Sequence, residues 1–398
     1  MRSASAPRPA SPVEYRFPAE WEEHEATWIG WPHNTSDWPG KFAPIPWVYG
    51  EIVRQLARRE KVRVLVNSAA HEQRARLVLK RAGAGLARVE FFRVPTDRGW
   101  TRDFGPIFLR RKARHSEPVR SSAANGPERG ERARGKLREE SACAWEGKAS
   151  TRSPGDLAIA GFRFNGWARY RNHHLDARAA RHLARRLGMP FVPVEIAGRE
   201  FVLEGGAIDV NGRGTVITTE ECLLDPEVQA RNPGLDRRQI EEVLAGYLGA
   251  PHTLWLGQGI AGDDTHGHVD DLCRFVGPRT LVLCRERNQD DANYRVLEEN
   301  WERVRSFRLE DGSKPEIVAL PMPAPLYFDG RRLPASYANF YIGNAAVLVP
   351  TFNDPNDRFA LGTLAELIPD RPVIGIHAVD LVWGLGTLHC LTQQQPAV

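Results

Sequence analysis

The stretch DVNGRGTVITT, residues 209–219, places short runs of strand-forming residues on both sides of a glycine-rich turn at Asn211–Gly214. Asn and Gly at such turns are typical of antiparallel hairpins, because they tolerate the backbone conformations that the turn requires. Similar turns occur at Gly277–Arg279 and at Gly343–Ala345, and consecutive turns begin 66 residues apart in both cases. A constant spacing of this size indicates a repeated structural unit.

Each hairpin is followed by an amphipathic helical stretch and then by a short apolar run, so the unit reads strand, strand, helix, strand. The predicted helices are Arg237–Leu248, Ala292–Val304 and Asp357–Ile368, and the predicted strands after them are His252–Leu256, Ile317–Leu320 and Pro372–Ile376. Upstream, Lys61–Val66, a helix near His71–Arg81 and Val89–Phe92 resemble an earlier unit, and Leu175–Leu187 resembles the helix of another. About five units fit the chain, which predicts a repetitive α/β fold; two unrelated α/β domains are the alternative.

The composition is that of a globular protein. Of the 398 residues, 42% are hydrophobic and 26% are charged, and no apolar run is long enough to span a membrane. Residues 1–14 are small, basic and proline-rich without a secretory signal, so we expect a disordered tail on a cytoplasmic protein. We expect residues 15–398 to form a single domain.

The positive charge of the chain is concentrated in one segment. Residues 110–156 contain 12 Lys and Arg against 7 Asp and Glu, whereas the whole chain carries a formal net charge of only +4. The segment has almost no apolar periodicity and is rich in Ser, Gly, Glu and Arg, so it predicts a flexible surface insertion. A nucleic-acid-binding arm is the less favoured interpretation.

The cysteines are scattered and predict reduced thiols, because no two of them form a CxxC pair. The last one, Cys390, follows the glycine-containing turn Gly384-Leu-Gly386, which would allow a substrate to approach the backbone closely. A single late cysteine is usually a small buried apolar residue. A nearby cation would instead favour its thiolate and make it a nucleophile. The five are Cys143, Cys222, Cys273, Cys284 and Cys390.

Four polar clusters interrupt strand-like segments of different units, and a repetitive α/β shell tends to bring such clusters together at one pole. They are Trp100–Gly105, Glu204–Gly206, Asp263–Asp271 and Leu388–Leu391. Within the third, His266-x-His268-x-Asp270 is close to a zinc-binding pattern. The favoured alternative needs no metal and uses the His268 imidazole as general acid and base beside the Asp270 carboxylate.

The candidate groups together fit a planar cation. One thiol, one imidazole and the three carboxylates of Asp103, Glu204 and Asp270 exceed what a thiol protease needs. A guanidinium group presents up to five N–H donors in a rigid fork, and carboxylates on opposite sides can pair with it.

The chain resembles the agmatine deiminase and bacterial peptidylarginine deiminase family of the guanidino-group-modifying superfamily. The resemblance extends from about Phe17 to Ala397 apart from the insertion. It implies an α/β fold, a five-bladed pseudo-symmetric propeller of strand-strand-helix-strand repeats. It also implies Cys390 as the nucleophile, His268 as the general acid and base, and Asp103, Glu204 and Asp270 as guanidinium-binding carboxylates; Trp100 is a further candidate contact. The motifs are Phe17–Trp28, Trp100–Asp103, Leu203–Gly206, Gly262–Asp270, Leu333–Tyr337 and His389–Pro396.

The implied reaction is hydrolysis of a guanidino group through a covalent cysteine intermediate, without cofactor or metal. The first substrate is agmatine, which would give N-carbamoylputrescine and ammonia for putrescine biosynthesis; a protein-arginine or free-arginine derivative is the alternative. A metal-dependent hydrolase or a non-catalytic cation-binding protein is the alternative of another class. We expect a small-molecule guanidino substrate as partner and neither nucleic acid nor membrane, and a homodimer is left open.

Three departures from the family pattern bear on the substrate. The stretch Asp97-Arg98-Gly99 replaces the Asn-Asp that agmatine-specific members carry before Trp100, and both Gly384–Thr387 and Phe164–Tyr170 differ from the usual forms. An Arg98 side chain that points into the pocket would weaken the binding of an amine. An Arg98 side chain turned to solvent would leave Asp97 free to receive it.

Overall fold

The computed structural model describes residues 14–112 and 155–398, which form a mixed α/β structure. The longest α-helices in these ranges have 13 residues, and none there is long and apolar enough to cross a membrane. The α-helices of the described ranges are α1 (Ile45–Leu56), α2 (Ala69–Arg81), α3 (Thr101–Phe104), α4 (Asp176–Leu187), α5 (Glu220–Leu224), α6 (Arg237–Leu248), α7 (Ala292–Val304), α8 (Asp357–Leu367) and α9 (Leu388–Leu391).

The strands of the same ranges are short and are distributed along the whole described chain. They are β1 (Tyr15–Arg16), β2 (His24–Gly30), β3 (Lys61–Val66), β4 (Val89–Arg93), β5 (Ile107–Arg111), β6 (Leu157–Gly161), β7 (Phe191–Pro193), β8 (Glu195–Ile196), β9 (Arg199–Glu200), β10 (Asp209–Val210), β11 (Thr215–Thr219), β12 (His252–Leu256), β13 (Cys273–Phe275), β14 (Thr280–Arg285), β15 (Glu316–Pro321), β16 (Tyr327–Phe328), β17 (Arg331–Arg332), β18 (Tyr341–Ile342), β19 (Val347–Thr351), β20 (Val373–His377) and β21 (Thr392–Pro396).

Five of the sheets share one pairing pattern. An opening strand pairs antiparallel with a second strand, and the second pairs in parallel with a third that follows a helix. Parallel neighbours need such a crossover, and the helix provides it. The five series are β5-β6-β7, β10-β11-β12, β13-β14-β15, β18-β19-β20 and β21-β2-β3. Strand β1 adds to the first series and β4 to the last, and two further pairs form small ribbons.

The elements predicted from the 66-residue spacing are confirmed. The three turns each join an opening strand to its antiparallel partner, and the predicted helices and strands differ from the observed ones by only one or two residues at their ends. Helix α6 shows why the ends of these helices could be predicted from the sequence. Asp236 and Gln239 form a reciprocal capping box at its start, and Gly249 ends it with a φ of +66°.

One sheet joins distant parts of the chain. Strand β21 pairs antiparallel with β2, so that Ile29 lies opposite Thr392, and β3 and β4 extend the sheet in parallel. The predicted early unit of β3, α2 and β4 therefore exists as elements, but it shares its sheet with β2 and β21 rather than opening with a hairpin of its own. This pairing has no local sequence signal.

The predicted insertion at 110–156 connects two paired strands. Arg110 in β5 lies opposite Leu157 in β6, and the Arg111 amide donates to the Asp156 carbonyl at 2.8 Å. Residues 110 and 111 therefore belong to the sheet. The predictions of a flexible insertion and of a disordered tail otherwise concern residues 113–154 and 1–13, which lie outside the described residues.

The core of the described chain contains an unusual number of charged groups. Asp103, Glu204, His268 and Asp270 are each at least 95% buried, and Arg274 is completely buried. Burying a charged side chain is costly unless a partner compensates the charge. Such a concentration of buried charged side chains is typical of functional sites.

Candidate active site

The polar segments that precede the five opening strands pack together. Helix α3 precedes β5, the short 3-10 turns Gly205–Ala207 and Val269–Asp271 precede β10 and β13, Asn339 precedes β18, and α9 precedes β21. Helix α3 contacts both α9 and Gly205–Ala207, which in turn contacts Val269–Asp271. The repeated architecture therefore brings side chains from five units to one place.

The thiol of Cys390 lies between an amide and a carboxylate. Its Sγ accepts a hydrogen bond from Asn339 Nδ2 at 3.1 Å and lies 3.6 Å from Asp270 Oδ2. Burial, together with the negative charges of Asp270, Asp271 and Asp103, raises the pKa of the Cys390 thiol well above its ordinary value. The thiol is therefore neutral at neutral pH.

Asn339 organises the loop around the nucleophile candidate. Its Oδ1 accepts hydrogen bonds from the Thr387 hydroxyl at 2.8 Å and from the His389 amide at 3.0 Å. Its Nδ2 donates to Asp271 Oδ1 at 3.0 Å as well as to Cys390. A single amide thus ties the Cys390 segment to the Asp270–Asp271 segment, because it offers both donors and acceptors.

The imidazole of His268 lies among carboxylates. Its Nδ1 is 3.8 Å from Asp103 Oδ1, and its Nε2 is 3.7 Å from Glu204 Oε2. Burial alone would lower the pKa of His268, but the negative charges around it, foremost that of Asp103, raise it well above the ordinary value. The side chain is therefore an imidazolium at neutral pH and can donate a proton.

Glu204 is held from its other side by a buried arginine. Arg231 Nε lies 3.2 and 3.3 Å from the two carboxylate oxygens. Burial would raise the pKa of Glu204, but the charge of Arg231 and the contact with His268 lower it below its usual range. Glu204 therefore remains ionised, and it contacts the rest of the site through His268.

Asp103 is fixed by two donors and faces the open space of the site. Trp167 Nε1 donates to its Oδ2 at 2.9 Å, and the Gly206 amide donates to its Oδ1 at 3.1 Å. Burial raises the pKa of Asp103 to about 7, despite the opposing charge of His268. Asp103 therefore titrates near neutral pH.

Two glycines keep the centre of the site open. A Cβ atom at Gly206 would lie 2.6 Å from His268 Nδ1, 2.9 Å from Asp103 Oδ1 and 3.0 Å from Asp270 Oδ2. A Cβ atom at Gly386 would lie 3.2 Å from Cys390 Sγ. Contacts under 3.0 Å are not tolerated by real side chains, so Gly206 preserves the space between the three polar groups.

A cavity of about 360 Å³ leads to this centre. Trp100, Asp103 and Cys390 are part of its wall, whereas His268, Glu204 and Asp270 are buried behind it. His268 contacts Asp103, Asp270 contacts Cys390, and Glu204 contacts His268. The structure therefore brings all six predicted site residues into one cluster and exposes three of them to the cavity. The other lining residues include Asp37, Arg98, Trp167, Tyr170, Asp264, Arg331 and Gly386.

Arg98 lines the cavity and Asp97 does not. The guanidinium of Arg98 pairs with Asp37 at 2.5 Å and lies 4.2 Å from the centre of the Tyr170 ring. Asp97 instead accepts a hydrogen bond from the Leu175 amide at 2.7 Å. Of the two orientations considered for Arg98, the structure shows the one directed at the pocket. The acids on the cavity wall near it are Asp37 and Asp264.

The histidine pattern of the metal interpretation does not converge. His266 has a φ of +64° and directs its Nε2 to Asp225 at 3.0 Å, away from His268. Two other groups in the described ranges bring three potential ligand atoms within 4.8 Å of one another: Glu204, Cys222 and His268, and Asp270, Asp271 and Cys390. Arg231 and the protonated His268 occupy the first group, and Asn339 bonds two members of the second.

Sequence reasoning missed Asn339 and Trp167. A usable signal existed for Asn339, because the unit that opens with β18 was the only one to which no polar site residue had been assigned. Trp167 lies in the Phe164–Tyr170 stretch that was noted only as a departure from a family pattern. Its position follows from a left-handed turn, with φ of +58° at Trp167 and +52° at Ala168.

Comparison with known proteins gives consistent matches along the chain. The family model for Porphyromonas-type peptidyl-arginine deiminase matches residues 16–396. Agmatine deiminase from Medicago truncatula is 33% identical over 407 aligned positions, covering 96% of this chain and 97% of that protein. Agmatine deiminase from Pseudomonas aeruginosa is 32% identical over 413 positions, covering 96% of each chain.

Solved structures agree with these sequence matches. Agmatine deiminase of Enterococcus faecalis superposes with a TM-score of 0.79 at 25% identity, over 99% of both chains. A cysteine-to-serine variant of C. jejuni agmatine deiminase with substrate bound superposes with a TM-score of 0.75 at 27% identity, over 96% of both chains.

Proposed function

This chain belongs to the Porphyromonas-type peptidyl-arginine deiminase family, and from that membership we propose that it is a hydrolase of carbon–nitrogen bonds in linear amidines, with Cys390 as its nucleophile. Its first substrate in this proposal is agmatine, which the relatives from M. truncatula and P. aeruginosa are named for. The products are N-carbamoylputrescine and ammonia, a step toward putrescine.

One observation carries the proposal: a buried thiol and a carboxylate share the wall of the same cavity. Cys390 and Asp103 both line it, and Asp270 lies 3.6 Å from the sulfur. A planar cation between the two carboxylates would place its central carbon beside the thiol, because each carboxylate pairs with N–H groups at the edge of the guanidinium.

We further propose that the five sheets are the blades of a pseudo-symmetric α/β propeller. The support is the common strand pattern, the five polar segments that meet ahead of the opening strands, and the pairing of β21 with β2, which lets the last blade share strands with the first part of the chain.

The cation of the substrate activates the thiol in this proposal. Burial and the negative charges of Asp270, Asp271 and Asp103 keep the Cys390 thiol protonated before substrate binds. A bound guanidinium neutralises that field, so the thiol releases its proton to water and the thiolate forms when substrate is present. Without the cation of the substrate, burial makes a thiolate at Cys390 energetically costly. Formation of the thiolate therefore depends on binding of the guanidinium that it attacks.

The first chemical step forms a carbon–sulfur bond. The Cys390 thiolate attacks the guanidinium carbon and gives a tetrahedral adduct. The His268 imidazolium then donates its proton to an amino group of that adduct, the carbon–nitrogen bond breaks, and ammonia leaves. A thiouronium remains on Cys390, and His268 is left neutral.

The second step reverses the roles. Neutral His268 takes a proton from a water molecule, and the resulting hydroxide attacks the thiouronium carbon. The carbon–sulfur bond then breaks, the hydroxyl proton of the adduct passes to the leaving Cys390 sulfur, and the ureido product is released. Asp103 and Asp270 hold the cationic carbon in line throughout. Glu204 acts through His268, because its contact with that ring and with Arg231 keeps the imidazole charged and oriented between turnovers.

The far end of the cavity favours keeping an arginine derivative as the second candidate substrate. Arg98 and Arg331 both line the cavity, and either could receive a carboxylate. Asp37 and Asp264 line it as well and would suit the primary ammonium of agmatine, but Arg98 already pairs with Asp37, and the Tyr170 hydroxyl donates to Asp264.

A colorimetric assay for ureido products tests the proposal. Agmatine, free arginine and an arginyl peptide are each incubated with the protein, with and without a metal chelator. Formation of a ureido product that is insensitive to the chelator supports a cysteine hydrolase. Chelator-sensitive turnover would point to a metal-dependent hydrolase. No turnover of any of the three, combined with calorimetric binding of a guanidine, would reduce the protein to a cation-binding one.

A further inference from the structure

His389, the residue before Cys390, lies between two buried carboxylates. Its Nδ1 is 2.7 Å from Asp270 Oδ2, and its Nε2 is 2.8 Å from Glu20 Oε2. The imidazole is 1% exposed. The mechanism described above gives it no role, although it touches Asp270 directly.

A neutral imidazole cannot satisfy this arrangement. It has one N–H group, so one of its two nitrogens would turn a lone pair toward a carboxylate oxygen at less than 3 Å. Either both ring nitrogens of His389 are protonated, or one of the two carboxylates carries a proton. Glu20 is the wrong carrier, because it also receives Arg102 at 3.1 Å, Arg274 at 2.9 Å and the Ile342 amide at 2.8 Å.

Asp270 is also better described as ionised. The hydrogen bond from His389 and its charge hold the pKa of Asp270 below its usual value, although burial opposes them. The Cys390 sulfur lies on the same carboxylate oxygen at 3.6 Å. The other oxygen, Oδ1, is buried and has no hydrogen-bond partner in the described ranges. It is 4.0 Å from His268 Nδ1.

We propose that His389 is a doubly protonated positioning residue that holds Asp270 by Oδ2 beside the Cys390 sulfur, which leaves Oδ1 as the carboxylate oxygen free to accept from the guanidinium of the substrate. The inference rests on the proposed function and assigns a positioning role within it. Glu20 behind the ring keeps both protons in place, and Arg102 and Arg274 fix Glu20. The short helix α9 therefore carries both the nucleophile, Cys390, and the adjacent residue that orients the Asp270 carboxylate, His389.

Two substitutions separate the two contacts of the ring. In His389→Asn the amide nitrogen falls near the position of Nδ1 and can still donate to Asp270, whereas the contact with Glu20 is lost. In His389→Gln the amide nitrogen falls near Nε2 and can still donate to Glu20, whereas Asp270 is left without its donor. Both remove the charge, so a difference between them reports on the Asp270 contact.

Steady-state kinetics with whichever guanidino substrate the wild type turns over give the readout. We expect the KM of His389→Gln to be at least tenfold higher than that of His389→Asn. In a Cys390→Ala background, guanidine should likewise bind more weakly to the His389→Gln variant than to the His389→Asn variant. Equal losses in both variants would overturn the inference, as would changes that follow Tm alone. Absence of turnover in the wild type would instead contradict the proposed function, so the two failures are distinguishable.

His24 provides the matched control. It is another buried histidine, with Nδ1 3.1 Å from Glu60 and Nε2 2.7 Å from the Glu20 carbonyl. His24→Asn and His24→Gln should alter Tm without separating the two KM values. A KM difference there equal to that at His389 would show that the amide positions, rather than Asp270, cause the effect.

Nitrogen NMR of histidine-labelled wild-type protein tests the protonation state directly, and a variant is needed only to assign the signal. We expect at least two of the 12 histidines, His268 and His389, to show both ring nitrogens protonated at pH 7.5, and one of these signals to be absent in His389→Asn. If the signal assigned to His389 shows one unprotonated nitrogen, the doubly protonated state is wrong.

Discussion

At the scale of single residues, replacement of Cys390 by alanine tests the assignment of the nucleophile. Loss of the covalent step should lower kcat by several powers of ten, while guanidine binding and the fold are retained, because Asp103 and Asp270 remain in place. The measurement is ureido formation together with calorimetric binding of guanidine. Cys284→Ala is the matched control, since that buried thiol contacts Ser336 instead of the cavity. Retention of more than about a hundredth of the wild-type kcat would contradict the assignment.

A second residue, Arg98, tests the choice of substrate. Its guanidinium neutralises Asp37 on the cavity wall, so Arg98→Asp should release negative charge and improve binding of a terminal ammonium. We expect the ratio of kcat/KM for agmatine to that for an N-acylated arginine ester to rise about tenfold. Arg98→Met controls for the loss of side-chain volume and should shift the ratio less. A wild-type preference of tenfold or more for the ester would refute agmatine as the substrate.

The residues also show where sequence reasoning ends. Asp103, Glu204, His268, Asp270 and Cys390 carry groups whose chemistry is recognisable in isolation, so their grouping could be predicted before their geometry was known. The repeat points to the unit that opens with β18 as the place of a further polar residue, but the role of Asn339 there is evident only from its four partners in the structure. The charge of His389 likewise depends on two carboxylates that are far away in sequence.

At the scale of secondary-structure elements, the connection between β5 and β6 gives a prediction of its own. Removing residues 113–154 would leave Lys112 and Gly155 as a two-residue link between strands that are already paired at Arg111 and Asp156. Such links are common in hairpins, and Gly155 already has a φ of +97°. We therefore expect kcat/KM and Tm to stay close to the wild-type values.

Activity assays and thermal unfolding of the deletion variant provide the measurement, and a second variant with a longer glycine-serine link controls for strain in the turn. Aggregation or loss of activity in both variants would show that residues 113–154 contribute to the structure or to the site. Loss in the short variant alone would indicate only that the two-residue link is strained.

The elements differ in how well they could be predicted. Units built on β10, β13 and β18 are continuous in sequence, so hairpin turn, helix and third strand recur in order and the 66-residue spacing reveals them. The sheet of β21, β2, β3 and β4 draws on both ends of the described chain. Its pairing depends on tertiary contacts, because no local sequence pattern determines which distant strand pairs with a given sheet edge.

At the scale of the whole molecule, stability and activity should respond to pH in opposite directions. Burial raises the pKa of Asp103 and of Asp37 to about 7 and that of Asp176 to about 8. A raised pKa in the folded state stabilises the protein at low pH, below the pKa of the unfolded chain, and this contribution disappears as the pH rises through 7 and 8. Guanidinium binding, in contrast, needs Asp103 ionised.

We therefore expect Tm to fall, and kcat/KM for the guanidino substrate to rise, as the pH increases from about 6 to 8. Thermal unfolding and initial rates at matched pH values provide the measurements. Asp103→Asn should weaken the pH dependence of Tm and abolish the rise in kcat/KM. A Tm that increases with pH across this range would contradict the assigned direction of these shifts.

The pairing of β2 with β21 has a bearing on synthesis at the ribosome. Thr392 is translated about 360 residues after its partner Ile29, which at about 5 to 20 residues per second is a delay on the order of 20 to 70 s. By the end of that interval the segments that carry Asp103, Glu204 and Asp270 have been made, and only then are His389 and Cys390 added. Catalytic competence therefore arises only when β21 pairs with β2.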